Sequence, residues 1–135
     1  MTTAPKATER YRPLFLVAAA YDLILGIVFF FFFRPVYTLF GLPMLENNSY
    51  IHLTAGFVFV QGVGYWLVYR NMERNTDIVR LGVVYKGIYC LVAGYYFLID
   101  QLPGAVFAWF GVFDLLFLVA FVRYLAVLKS EARVG

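Results

Sequence analysis

Charged side chains are scarce in this sequence. Asp, Glu, Lys and Arg make up 14% of it and hydrophobic residues 63%, with a mean hydropathy of +0.77. Soluble domains carry about a quarter charged residues, so an ordinary water-soluble globule is excluded in favour of the membrane class. A single cysteine, Cys90, excludes an intrachain disulfide and a cysteine-based metal framework, and reads as a small core residue. The single histidine, His52, has no companions at metal-ligand spacing and leaves a haem without a second axial histidine, so no metal site is expected. A nucleophilic triad, a phosphate-binding glycine loop and a metal motif are all missing, and the cofactor question stays open. The net charge of +3 does not point to nucleic acid, because the basic residues flank apolar runs and form no patch of their own.

Apolar and aromatic residues are plentiful, with 15 Phe and 11 Tyr. Four apolar segments, at about residues 14–33, 51–69, 78–99 and 105–127, each approach the ~20 residues a helix needs to cross the hydrocarbon core. Lipid offers no partner to bare backbone groups, and strand-like alternation is absent, so the segments are expected to be helices. Pro13 opens the first and Arg34-Pro35 closes it; Asn48 or Ser49 caps the second, Thr76 or Asp77 the third, and Pro103-Gly104 leads into the fourth. The basic N-terminus and Ala18 to Ala20 imitate a cleaved signal, but Leu14 to Val17 is too short an apolar region, and a retained helix is expected.

Basic residues set the expected topology. Lys6, Arg10, Arg12, Arg70, Arg74, Arg80, Arg123, Lys129 and Arg133 fall on one side of an up-down-up-down path, and only Arg34 falls on the other. The positive-inside rule then puts both termini in the cytoplasm, for a protein of the bacterial inner membrane. The fold class expected is an all-α, integral membrane four-helix bundle forming one domain. The short connections "RNMERNTD" and "DQLP" predict neighbouring helices on either side of each. The longer, amphipathic "RPVYTLFGLPMLENNS" is expected to lie on the membrane surface or to cap the bundle.

Depth brings out a second pattern. Asp22, Gln61, Lys86 and Asp114 each lie near the middle of a different helix, within roughly 4 Å of the midplane at about 1.5 Å per residue. A charged side chain at a helix centre costs about 2.5–3.5 kcal/mol, which the apolar remainder outweighs but which forbids a lipid-facing position. Lys86 is therefore expected to pair with Asp22 or Asp114. Two carboxylates against one ammonium leave one excess negative charge, which a proton or a cation neutralises. Ala18, Asp22 and Gly26 share one stripe, as do Thr54, Gln61 and Tyr65, then Gly82, Lys86, Tyr89, Cys90 and Ala93, and last Phe110, Gly111, Asp114 and Leu118. The order Asp, Gln-Gly, Lys-Gly, Asp also reads as a faint inverted echo, with "YDLIL" answered by "FDLLF".

The "YDLILG" first helix, the "FDLLF" last helix, the size and the topology resemble the small four-helix bacterial membrane proteins grouped as DoxX-like. That resemblance implies a four-helix plan, with a quinone-linked redox association for some members, and carries over no functional residue. Small multidrug-resistance transporters are similar in length and in one acid within the first helix. They depart in topology, and they lack counterparts of Lys86 and Asp114.

The expected function is a non-enzymatic membrane protein whose midplane pocket binds a small hydrophobic or cationic ligand, or relays protons. Asp22, Gln61, Tyr65, Lys86, Tyr89 and Asp114 are its candidate residues. The competing readings are a scaffold or accessory subunit of a larger membrane complex, where the charges only fix packing, and a membrane isomerase or quinone-linked oxidoreductase. Expected partners are the lipid bilayer and a homo-oligomer or larger complex, with no nucleic acid.

Overall fold

The computed structural model describes residues 6–134, and every regular element among them is helical. A 3-10 turn, Ala7–Tyr11, leads into α1 (Arg12–Phe31), followed by α2 (Phe33–Leu39), α3 (Ser49–Arg70), α4 (Thr76–Leu98) and α5 (Ala105–Val134). Four of the helices are long and apolar enough to cross a membrane. At about 1.5 Å per residue, even α1 reaches the ~30 Å of a hydrocarbon core.

Local chemistry sets the breaks. Pro35 lacks the N–H that would continue the ladder from Phe31, so Phe32 leaves the helical region (φ −126°, ψ 25°) and a short α2 restarts beyond it. The first long helix therefore stops two residues before the expected Phe33. Gly41 (φ 64°) ends α2, with Leu42 N–H donating to Tyr37 O at 2.8 Å. Asp100 (φ 56°) ends α4 the same way, Gln101 N–H donating to Tyr96 O at 2.8 Å. One cap falls where expected and one does not. Asn48 is the N-cap of α3, but the side-chain bond comes from Asn47 Oδ1, which accepts from Ser49 N–H at 3.0 Å. Asn75, not Thr76 or Asp77, precedes α4, its Nδ2 tied to Leu67 O and Asn71 O at 2.9 Å each.

Packing forms two clusters with the ionisable residues between them. At one end Phe15, Ala18, Ala19, Tyr65, Val68, Met72, Val79, Phe121 and Tyr124 form a closed core. There the chain's start, the α3–α4 loop and the end of α5 are also joined: Lys6 Nζ meets Glu73 Oε1 at 2.7 Å, and Glu131 accepts from Thr8 N–H and Oγ1–H at 3.2 and 3.1 Å. We call this the clasp end. At the other, α2 end, Phe29, Phe33, Tyr37, Leu42, Ile51 and Ala55 pack together, so the long connection folds over the helices.

The closest helix pair is α1 with α3, joined by the longest connection, while α3 and α4, joined by a short loop, touch sparsely. Loop length predicts adjacency but not intimacy; small residues decide that. A Cβ on Gly62 would fall 2.7 Å from Leu23 N, and one on Gly26 2.9 Å from Phe59 N, so two backbones meet where only glycine fits.

Candidate functional site

Each long helix is turned by its small residues, and the turn decides which polar groups meet. On α1 the buried stripe runs Phe15, Ala18, Ala19, Asp22, Gly26 and Phe29, so contact with α3 through Gly26 carries Asp22 inward. On α4 the stripe is Val79, Gly82, Lys86 and Ala93. Gly82 lies against Tyr65 and Phe121, which fixes Lys86 toward the bundle axis. On α5 the spacing from Phe121 back to Asp114 is two helical turns, so the buried face that seats Phe121 also seats Asp114.

Three ionisable side chains converge there. Lys86 is fully buried, and Asp22 and Asp114 are 2% and 6% exposed. Lys86 Nζ donates to Asp114 Oδ1 at 2.9 Å, while Asp22 Oδ2 stands 3.6 Å away, beyond a hydrogen bond. Lys86 is thus bonded to the acid of α5, and the acid of α1 keeps a buried oxygen without a hydrogen-bond partner. Rings surround the ammonium, with Phe117, Tyr65, Tyr21 and Tyr85 centred 5.0, 5.4, 5.8 and 5.9 Å from Nζ.

A cavity of about 300 Å³ reaches this cluster from the α2 side. Its floor carries Asp22 and Asp114, and its walls are largely aromatic: Tyr21, Phe29, Tyr37, Tyr85, Tyr89, Phe107 and Phe110. Toward the clasp end it is stopped by the closed core, whose Phe15 rests on Tyr124 and Phe121 at 5.0 and 5.4 Å. The cavity is a blind recess.

Comparison with models of known families, with curated proteins and with solved structures finds no match.

The sequence-derived candidates divide by position. Asp22, Lys86 and Asp114 are in contact as a cluster. Tyr89 lines the cavity and donates its hydroxyl to Phe107 O at 3.2 Å. Tyr65 is fully buried, but it faces Gly82 and Phe121 on the clasp side of Lys86 and forms no part of the cavity wall. Gln61 is half-buried and is absent from both the cavity wall and the groups meeting Lys86. The expected stripe through Thr54, Gln61 and Tyr65 is not the buried one, which runs Ile51, Ala55, Gly62, Tyr65 and Val68. Gly62 holds the contact with α1, and its neighbour Gln61 is rotated about 100° aside. Thr54 lines the cavity but spends its hydroxyl on Tyr50 O, 2.8 Å away.

Sequence reasoning missed Tyr21. Its hydroxyl is buried without a hydrogen-bond partner, and it lines the cavity beside Asp22. The available signal was its place next to Asp22, among an aromatic majority that masks any one ring. His52 sits between the rings of Phe30 and Phe33, at 4.9 and 5.5 Å. Among the described residues no three His, Cys, Asp or Glu side chains are grouped to hold a metal.

Proposed function

We propose that this is a non-enzymatic membrane protein that binds a small, mostly apolar ligand in the recess, with the ligand's polar group held by Asp22 beside the Lys86–Asp114 pair. One observation carries the reading: a 300 Å³ cavity ends on Asp22, whose buried oxygen has no hydrogen-bond partner. Tyr21, whose buried hydroxyl also has no partner, lines the same recess, and an unpaired buried acceptor costs about 1–3 kcal/mol that a ligand's donor would relieve. The closed packing past Lys86 favours binding over passage: the tyrosine hydroxyls of that core form no hydrogen-bonded chain from Lys86, and that of Tyr65 is buried without a partner.

In the same proposal the bundle runs up-down-up-down, with both termini in the cytoplasm of a bacterium and the α2 end outward. What supports this is the gathering of nine of the 11 Lys and Arg at or near the clasp end, the side that positive charge marks as cytoplasmic. The DoxX-like resemblance agrees in plan and lends no residue.

Thermal unfolding of the solubilised protein tests the binding reading. Eight-carbon amphiphiles should raise the midpoint, as any ligand of the folded state does. Val58→Trp, which fills the recess from α3, should remove the rise while leaving the protein folded. Equal stabilisation of wild type and Val58→Trp, or of neither, overturns the reading.

A further inference from the structure

The walls of the recess are unequally closed. Over the α2 end, Leu42 is buried on Gly104, where no Cβ could stand without striking it. Between α1 and α3, Gly26 presses on Phe59 and Ala55. Between α1 and α5, Phe29 packs on Phe110 at 5.8 Å and Tyr21 on Phe117 at 5.4 Å. Between α4 and α5, the Tyr89 hydroxyl donates to Phe107 O and the Cys90 thiol to Gly111 O at 3.6 Å.

The seam between α3 and α4 is different. Its two glycine contacts, Gly64 to Ile78 and Tyr65 to Gly82, both lie on the clasp side of Lys86. On the α2 side the packed cluster draws on α1, α2, α3 and α5 and includes no residue of α4. Yet Thr54 and Val58 of α3 and Tyr85 and Tyr89 of α4 all line the recess. The recess therefore reaches the surface beside α3, where its lining residues Tyr50 and Thr54 are exposed, Tyr50 at 69%. The helix surface around them, with Phe57 68% exposed, belongs against acyl chains.

The floor specifies the head group. With both carboxylates ionised, Asp22 and Asp114 outnumber Lys86 by one negative charge, and Asp22 Oδ2, 3.6 Å from Nζ, has no hydrogen-bond donor. Aromatic walls favour a cation over an anion. A volume of 300 Å³ equals roughly ten waters, room for about eight to ten non-hydrogen atoms.

Resting on the binding reading above, we propose that the occupant is a protonated amine with a short hydrocarbon body, dissolved in the bilayer, which passes between α3 and α4 and donates its ammonium N–H to Asp22. The route uses the sparse contact between α3 and α4, and the head group balances the floor's charge.

The test uses the full chain in phosphatidylcholine nanodiscs, titrated calorimetrically against empty discs with n-octylamine, n-octanol, octanoate and trimethylpentylammonium. Octylamine should bind at least tenfold tighter than octanol. Trimethylpentylammonium, a cation of the same atom count as octylamine but without an N–H, should fall between them, and octanoate should bind weakest. Asp22→Asn should reduce the octylamine preference over octanol below twofold while octanol binding persists. For the route, Thr54→Trp sets an indole at the seam and should slow octylamine release into excess vesicles at least tenfold. Leu53→Trp, on the neighbouring lipid-facing position, should leave release unchanged. Equal affinity for octylamine and octanol in the wild type overturns the head group, and unaltered release from Thr54→Trp overturns the route. Absence of binding by all four compounds overturns the binding reading itself.

Discussion

Lys86→Met separates a cluster that holds the helices together from one that merely lies between them. The substitution keeps length and removes the ammonium from a fully buried position 2.9 Å from Asp114 and 3.6 Å from Asp22. Removing one member of a buried ion pair typically destabilises by about 3–5 kcal/mol, because the partner's charge is left uncompensated. Here two carboxylates lose the cation between them, so the upper part of that range is expected, about 4–5 kcal/mol, a fall of roughly 900- to 5,000-fold in the folding equilibrium at about 1.36 kcal/mol per tenfold. Reversible SDS unfolding in mixed micelles, followed through Trp66 and Trp109, measures it.

The triple variant Asp22→Leu, Lys86→Met, Asp114→Leu completes the argument. With every charge replaced by apolar volume nothing is left unpaired, and stability should return to within about 1 kcal/mol of wild type or exceed it. The same variant should lose amphiphile binding. A shift below about 1 kcal/mol for Lys86→Met, or a triple as unstable as the single, refutes the idea that charge compensation links α1, α4 and α5 at this level.

Gly62→Ala should destabilise by about 1–3 kcal/mol in the same assay, since its methyl would fall 2.7 Å from a backbone atom of α1, whereas Gly56→Ala, with open space around the new methyl, should be nearly silent. Equal effects would refute the backbone contact. Glu131→Ala removes both acceptors of Thr8 and leaves a buried threonine unsatisfied, so a loss of about 1–3 kcal/mol is expected, with faster exchange of the Thr8 amide; unchanged exchange would show that the clasp does not form in solution.

Which parts of this architecture could be read from the sequence follows from which physical terms are local. Hydropathy and helix geometry depend on residues near one another, so four membrane-length helices and the common depth of Asp22, Lys86 and Asp114 were legible. Helix facing is not local. Gln61 and Gly62 are neighbours, and polarity alone favours Gln61 for the interior. The backbone of Leu23 favours Gly62, and the close contact wins because a tight α1–α3 interface is lost if any Cβ intervenes. Tyr65 illustrates the same point, buried as expected but on the clasp side of the lysine it was expected to join in a pocket.

The choice between the two acids was the least legible feature, and it follows from the same packing. Because α1 is drawn to α3 by its glycine contacts while α4 is tied to α5, the lysine of α4 lies closer to the acid of its own partner helix. Asp22 is held by α1 at the same depth but 3.6 Å from Nζ, near enough to share the charge and too far to share a hydrogen bond. The pairing of helices thus produces the asymmetry of the site. Had α1 and α4 been the tight pair, Asp22 would be the bonded acid, and the free oxygen would belong to Asp114. On this account a change that loosens α1 from α3, such as Gly62→Ala, should also weaken the amine preference, although residue 62 lines no part of the recess. An unchanged preference in that variant would mean that Asp22 is positioned by something other than the α1–α3 contact.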